Sequence, residues 1–226
     1  SAITGLFASG GSLSYRSLET LNIDLGSAAD TLTVQSTHAG STTINTWGGA
    51  DTIHIRASAG STTLNAGDGA DTINVAGLAP VFDPGAGGDA DGVTGQLRIN
   101  GDGSDDTLSV DDSGDGTGDT GRLEAKTISG IFGAGGSITY NTFEALQIDL
   151  GSGGDRFAIA NTHDAPTIVS AGVGNDDISI SATTGTLTVN GNAGDDRMTA
   201  NHNGAALILN GDDNDDTINL DGSGAA

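Results

Sequence analysis

The chain has 226 residues, 38 of them Gly and none Cys, with 4% aromatic residues and a formal net charge of −23 from 30 acidic and 7 basic side chains. So acidic a surface repels nucleic acid and anionic lipid, and the lack of Cys excludes a disulfide framework and thiol chemistry. No apolar run approaches the roughly 20 residues that cross a bilayer, which argues against membrane insertion.

In chain order, Gly/Asp turns lead into short alternating segments: GSAADTLTV (Asp30), WGGADTIHI (Asp51), GDGADTINV (Asp71) and GSDDTLSV (Asp106). The second half continues with GSGGDRFAI (Asp155), GVGNDDISI (Asp176), NAGDDRMTA (Asp196) and DDNDDTINL (Asp216). All but one of the spacings within each half are 20 or 21 residues; the exception, 35, separates Asp71 from Asp106. A period near 20 marks a solenoid. A longer repeat lies over it: GLFASGGSLSY with LETLNIDLGS from Gly5 returns as GIFGAGGSITY with FEALQIDLGS from Gly130, an offset of 125. The organisation read from this is a first long repeat over 1–125 and a second over 126–226. The closing LDGSG, matching VDDSG from Val110, predicts a longer natural array with neighbouring repeats as partners.

Two residues after each turn Asp comes Leu32, Ile53, Ile73, Leu108, Phe157, Ile178, Met198 or Ile218, and a second apolar residue follows two further on. Seven residues before it comes Ile23, Ile44, Leu64, Ile99, Ile148, Val169, Val189 or Leu209. A fourth ladder two residues earlier is mostly Leu, with Thr42, Thr62 and Thr167. Period-2 alternation on both sides of the turn predicts an all-β fold, a parallel β-solenoid of two-stranded coils of about 20 residues.

Two segments break the pattern. Residues 76–96 read as a surface loop insertion holding Asp83, Asp89 and Asp91. Residues 111–122 read as an Asp/Gly linker. There Asp111, Ser113, Asp115, Gly116 and Asp119 match EF-hand-like ligand positions, with Arg122 where the bidentate Glu belongs.

About four inward side chains per coil make a thin core, and stacking the turns superposes Asp on Asp at about 4.8 Å, a repulsive column unless neutralised. Glu19, Glu124 and Glu144 are the only glutamates, so the acidic residues are nearly all Asp, a short-armed turn former and cation ligand. Several Ca²⁺ ions along one edge of the solenoid would meet both needs. The predicted metal ligands are Asp30, Asp51, Asp68, Asp71, Asp102, Asp106, Asp155, Asp176, Asp195, Asp196, Asp212, Asp215 and Asp216.

AGDGADTIN (Ala66 to Asn74) and AGVGNDDIS (Ala171 to Ser179) resemble GGxGxDxUx, the nonapeptide of the repeats-in-toxin family of haemolysin-type proteins. The resemblance covers the eight turns, about a third of the chain. It departs from the family in coil length and in the opposite turns (QSTHAG, RASAG, SATTG), which carry no Asp. It implies a Ca²⁺-loaded, secreted or cell-surface bacterial module.

Catalysis is not expected. His38 and His163 are repeat equivalents read as loop hydrogen-bonding residues, His54 occupies an outward strand position, His202 lies near a turn, and none makes a zinc-type pair. The expected function is a calcium-stabilised structural or adhesive module. The alternative is a carbohydrate-binding or carrier module beside an enzyme, with surface glycans as partners. Trp47 is the residue to watch there, although covering the adjacent coil is its plainer role. Ice binding through the Thr31/Thr52/Thr72 column ranks third, because Arg156, Asp177 and Arg197 interrupt that column in the second half.

Overall fold

The computed structural model describes residues 2–4, 12–77, 87–201 and 204–222. Its short strands stack in parallel as a β-solenoid, and among the described residues no helix is long and apolar enough to cross a membrane. An antiparallel hairpin, β1 (Ala2–Thr4) and β2 (Ser12–Ser14), comes first. The first four coils then alternate between two sheets. Sheet I receives β3 (Thr20–Asp24), β5 (Ser41–Asn45), β7 (Thr62–Asn65) and β9 (Gln96–Asn100); sheet II receives β4 (Thr31–Val34), β6 (Thr52–Ile55), β8 (Thr72–Val75) and β10 (Thr107–Asp111). The register follows the sequence ladders, with Leu32 on Ile53, Ile53 on Ile73 and Ile73 on Leu108.

The two-stranded pattern fails at the centre. After β10 the chain makes an antiparallel meander of β11 (Thr120–Glu124), β12 (Thr127–Ser129) and β13 (Ser137–Asn141), all in sheet I. β13 lies parallel on β9, while β14 (Ala145–Asp149) crosses to sheet II and pairs directly with β10. The later coils place β15 (Arg156–Ile159), β17 (Asp177–Ile180), β19 (Arg197–Ala200) and β21 (Thr217–Leu220) in sheet I, on β11. In sheet II, β16 (Thr167–Ser170), β18 (Leu187–Asn190) and β20 (Leu207–Asn210) stack on β14. Among the described residues sheet I thus has eleven strands and sheet II eight.

The meander exchanges the faces of the two halves. Strands that precede an Asp turn lie in sheet I in the first half and in sheet II in the second, yet the strands on either side of the meander keep one direction. The Asp turns of the two halves therefore lie on opposite edges of the solenoid. This corrects the expectation of a single carboxylate edge, since an odd number of added strands reverses which sheet each turn leaves.

The core is the space between the sheets. Ile44, Ile53, Ile73, Ile99, Leu108, Ile148, Ile178 and Val189 are fully buried, as the ladders require. The core threonines are buried too, because turn residues reach them: Thr62 bonds Thr37 at 3.3 Å, while Thr42 and Thr167 meet His38 Nδ1 and His163 Nδ1 at 3.4 and 3.3 Å. At the outer end of β3, β5, β7, β9 and β13 runs a side-chain ladder in which Asn45 donates to Asp24, Asn65 to Asn45, Asn100 to Asn65 and Asn141 to Asn100, at 2.7–3.1 Å.

The insertion is not simply a surface loop. Asp83 lies outside the described residues, but Ala90 and Val93 are fully buried, and Val93 bridges to Ser58. The expected linker likewise belongs to the fold, since β10 runs through Asp111, which is fully buried, and β11 begins at Thr120.

Candidate metal centre

The turn aspartates form two hydrogen-bonded columns. Each backbone N–H donates to the carboxylate of the next coil: Asp30 to Asp51, Asp51 to Asp71, Asp71 to Asp106 and Asp106 to Glu144, at 2.7–2.8 Å. On the other edge Asp119 donates to Asp155, Asp155 to Asp176, Asp176 to Asp196 and Asp196 to Asp216, at 2.7–3.0 Å. Oδ1 of each accepting Asp is therefore engaged by backbone.

The second oxygen faces its own turn. Gly26 N–H donates to Asp30 Oδ2 at 3.2 Å, and a Cβ placed on Gly101, Gly191 or Gly211 would stand 2.6, 2.4 or 2.3 Å from Oδ2 of Asp106, Asp196 or Asp216. Oδ2 of Asp51, Asp71, Asp106, Asp155, Asp176 and Asp196 is buried with no hydrogen-bond partner. Among the described residues no ion pair touches either column; the three present join Arg122 to Glu124, and Arg156 and Arg197 to Asp177. Burial, reinforced by neighbouring carboxylates, pushes Asp106 up to about 6 and Asp176 up to about 7, and raises Asp71, Asp155 and Asp196.

Of the other predicted ligands, Asp68, Asp102, Asp195, Asp212 and Asp215 are exposed on the turn surfaces. Asp102 acts electrostatically on Asp71 and Asp106, and Asp195 and Asp212 act on Asp196. Asp195 Oδ1 accepts the Asp215 N–H at 3.1 Å, and Asp212 Oδ2 the Asn192 N–H at 3.3 Å. Asp68 bridges to Gly48 and Gly103 through its backbone. Thr46 donates to the carbonyl of Ala66 between successive turns. Gly67 and Gly69 have φ of +89° and +132°, and Cβ atoms there would fall 2.1 Å and 1.9 Å from the carbonyl oxygens of Trp47 and Gly49. Glycine is thus required by close stacking as well as by backbone conformation.

A different geometry appears where the halves meet. Carboxylate oxygens of Asp112, Asp115 and Asp119 lie within 4.8 Å of one another, a grouping that could hold a metal ion. Asp112 is 2% exposed, its Oδ1 accepts the Ala90 N–H at 2.7 Å, and it shares a side-chain hydrogen bond with Asp119. Burial is the largest reason that Asp112 is pushed up to about 8, with Asp119 and Asp115 adding repulsion. Asp119 is also raised, first by burial and then by Asp115, Asp91 and Asp89. The insertion thus brings two more carboxylates to this seam. Its return leg is pinned there by Gly87 N–H to Ser113 Oγ at 3.0 Å and Gly88 N–H to Asp111 Oδ2 at 3.3 Å.

The sequence pattern placed Asp111 in this set, but the structure substitutes Asp112. Asp111 ends β10 and turns its Oδ1 to Ser113, 2.6 Å from Oγ. An all-oxygen, all-anionic donor set with no base paired to it suits a hard divalent cation better than a soft one. Asp112 was missed because nothing in a local ligand pattern marks it. The one signal was the pair of consecutive aspartates closing a strand.

Other singled-out residues also resolve. Trp47, with φ of +68°, is 62% exposed, so it does not cover the adjacent coil. His54, expected to face outward, is 4% exposed, meets Asn74 at 3.4 Å, and has its pKa lowered by burial. His202 lies outside the described residues.

No protein-family model matches this chain, and no curated protein matches it.

Proposed function

We propose that this chain is a calcium-binding, calcium-stabilised structural or adhesive repeat module of a large secreted or cell-surface bacterial protein. The observation that carries the reading is the convergence of Asp112, Asp115 and Asp119 at the seam between the two halves. The resemblance of the turns to the repeats-in-toxin nonapeptide, and a net charge of −23, support it.

Asp112, Asp115 and Asp119 would hold the ion, with Asp89 and Asp91 adding negative potential from the insertion. A bound Ca²⁺ would supply the positive charge this cluster lacks, with oxygen-only coordination of the kind the ion prefers. The residues themselves tie the end of β10, the return leg of the insertion and the start of β11 into one knot. Because the folded seam alone assembles these groups, binding would be linked to folding. The solenoid is then a stiff spacer, and no catalytic constellation is assigned to it.

The test is calorimetry and circular dichroism after chelation, titrating Ca²⁺ with Mg²⁺ as control. Saturable Ca²⁺ binding with a gain in thermal stability, both abolished in an Asp112→Asn/Asp119→Asn double variant, is the expected result. A stable chelated protein that takes up no Ca²⁺ refutes the proposal.

A second reading, a carbohydrate-binding module, is favoured by the 62% exposure of Trp47, an aromatic face open to stacking on a sugar ring. Glycan-array binding lost in Trp47→Ala would support it over the spacer role.

A further inference from the structure

The meander leaves a gap on the edge opposite the seam. In sheet I, β13 and β15 are separated by β12 and β11, roughly 14 Å over three strand spacings, whereas their successors β14 and β16 are neighbours in sheet II, about 5 Å apart. The turns leaving β13 and β15 diverge accordingly. A cleft of about 450 Å³ opens there, lined by both turns, by the β11–β12 hairpin tip and by Thr184 of the next coil. This volume falls in the range of small-molecule sites.

Two buried groups in its wall lack partners. Tyr140 is 1% exposed and His163 8%, and neither Tyr140 Oη nor His163 Nε2 has a hydrogen-bond partner. The rings meet edge to face at 5.6 Å, and His163 Nδ1 is occupied by Thr167. Buried polar atoms are rarely left unpaired, and such orphans call for a ligand or ordered water. Burial also lowers the pKa of His163, which favours the neutral imidazole.

The rim disfavours anionic occupants. Lys126, exposed and donating to Asn141 at 3.2 Å, places one cation there, while Glu144 and Asp164 place two anions beside His163. An anionic ligand meets the two carboxylates and the overall charge of −23. Hydroxyl groups, which both donate and accept, match the cation, the carboxylates and the two unpaired atoms alike. We propose that this junction cleft binds a non-anionic, hydroxyl-rich small molecule the size of a single saccharide unit.

The first half repeats the ring pair, Tyr15 to His38 at 5.7 Å, and His38 Nε2 is likewise buried without a partner. The ring pair and its imidazole therefore do not by themselves mark a site; the buried Tyr140 hydroxyl and the cleft that the meander opens do.

The experiment is a ¹H–¹⁵N NMR titration at millimolar glucose, galactose, mannose, N-acetylglucosamine and glucosamine, with glucuronate as the anionic control, at saturating Ca²⁺ and again after chelation. One of the non-anionic sugars should shift amides of residues 125–126, 140–144 and 162–164, with glucuronate at least tenfold weaker. Tyr140→Phe, which removes only the orphan hydroxyl, and Lys126→Ala, at an exposed position, should each weaken binding at least fivefold. Trp47→Ala should leave it unchanged. No shifts in these segments with any non-anionic sugar, glucuronate binding as tightly, or binding that survives both cleft variants or disappears with Trp47→Ala, would overturn the proposal. The site does not depend on the calcium reading, which stands or falls on its own titration.

Discussion

Asp176 and Asp112 are each 2% exposed, and burial raises both, yet their surroundings differ. Asp176 belongs to a column in which each coil contributes one carboxylate and one backbone donor, so its Oδ1 accepts the Asp155 N–H and its own N–H goes to Asp196. Asp112 stands where the repeat is interrupted, and three carboxylates gather from one short segment. Periodic aspartates commit Oδ1 to holding coils together and keep a buried Oδ2 without a partner. Aperiodic ones instead bring three carboxylates within 4.8 Å of one another.

The sharpest challenge to the column is steric. Gly194 has φ of +144°, and a Cβ there would lie 1.7 Å from the Gly174 carbonyl oxygen, so Gly194→Ala should lose on the order of 4 kcal/mol from strain and overpacking together. Urea denaturation reads this directly, and a small loss would mean that the turns are not closely stacked.

Calcium should come next in size. At one hundred times the dissociation constant, a single seam site would add about 2.7 kcal/mol. Thermal melts should show that gain in the wild type and in Asp176→Asn but not in Asp112→Asn/Asp119→Asn. The opposite assignment would move the metal to the column.

Smaller effects separate hydrogen bond from charge. Asp176→Ala leaves the buried Asp155 N–H unpaired and should cost about 2 kcal/mol, whereas Asp176→Asn keeps an acceptor oxygen and should stay within about 1 kcal/mol of wild type. Equal losses in chemical denaturation would make the carboxylate charge itself structural.

The pH dependence has a definite sign. Asp106, Asp176 and Asp112 are raised to about 6, 7 and 8, above an unfolded value of about 3.9, so the folded state binds more protons between those limits. Stability of chelated protein should be fullest below about pH 4 with respect to these groups and fall as pH rises through 6 to 8. Melts at pH 5 and pH 8 should show it, with the decline reduced by Ca²⁺.

Much of this was legible in the sequence because repetition writes each contact several times. The ladders through Ile53 and Ile99 are spelled by period-2 alternation, and the stacked pairs bear them out. The Asn45/Asn65/Asn100 ladder was equally visible, six residues before each turn Asp, but polar repeats carry no hydrophobic period to draw attention to them. The exchange of edges was not legible. It depends on whether residues 120–141 contribute an odd or even number of strands, and hairpins of three to five residues leave only a faint pattern. Asp112 and the Tyr140–His163 cleft share that origin, since both lie where the β11–β13 meander joins the two halves.

The unequal sheets have a mechanical consequence. Eleven strands against eight lengthen one face by roughly 14 Å over the stack, which makes the junction a wedge in an otherwise uniform beam. The same meander reverses which sheet receives the leading strand of a repeat, so a further repeat built alike would set its wedge on the opposite face. Successive kinks would then oppose one another, and a rod assembled from such units would recover its direction after every second junction.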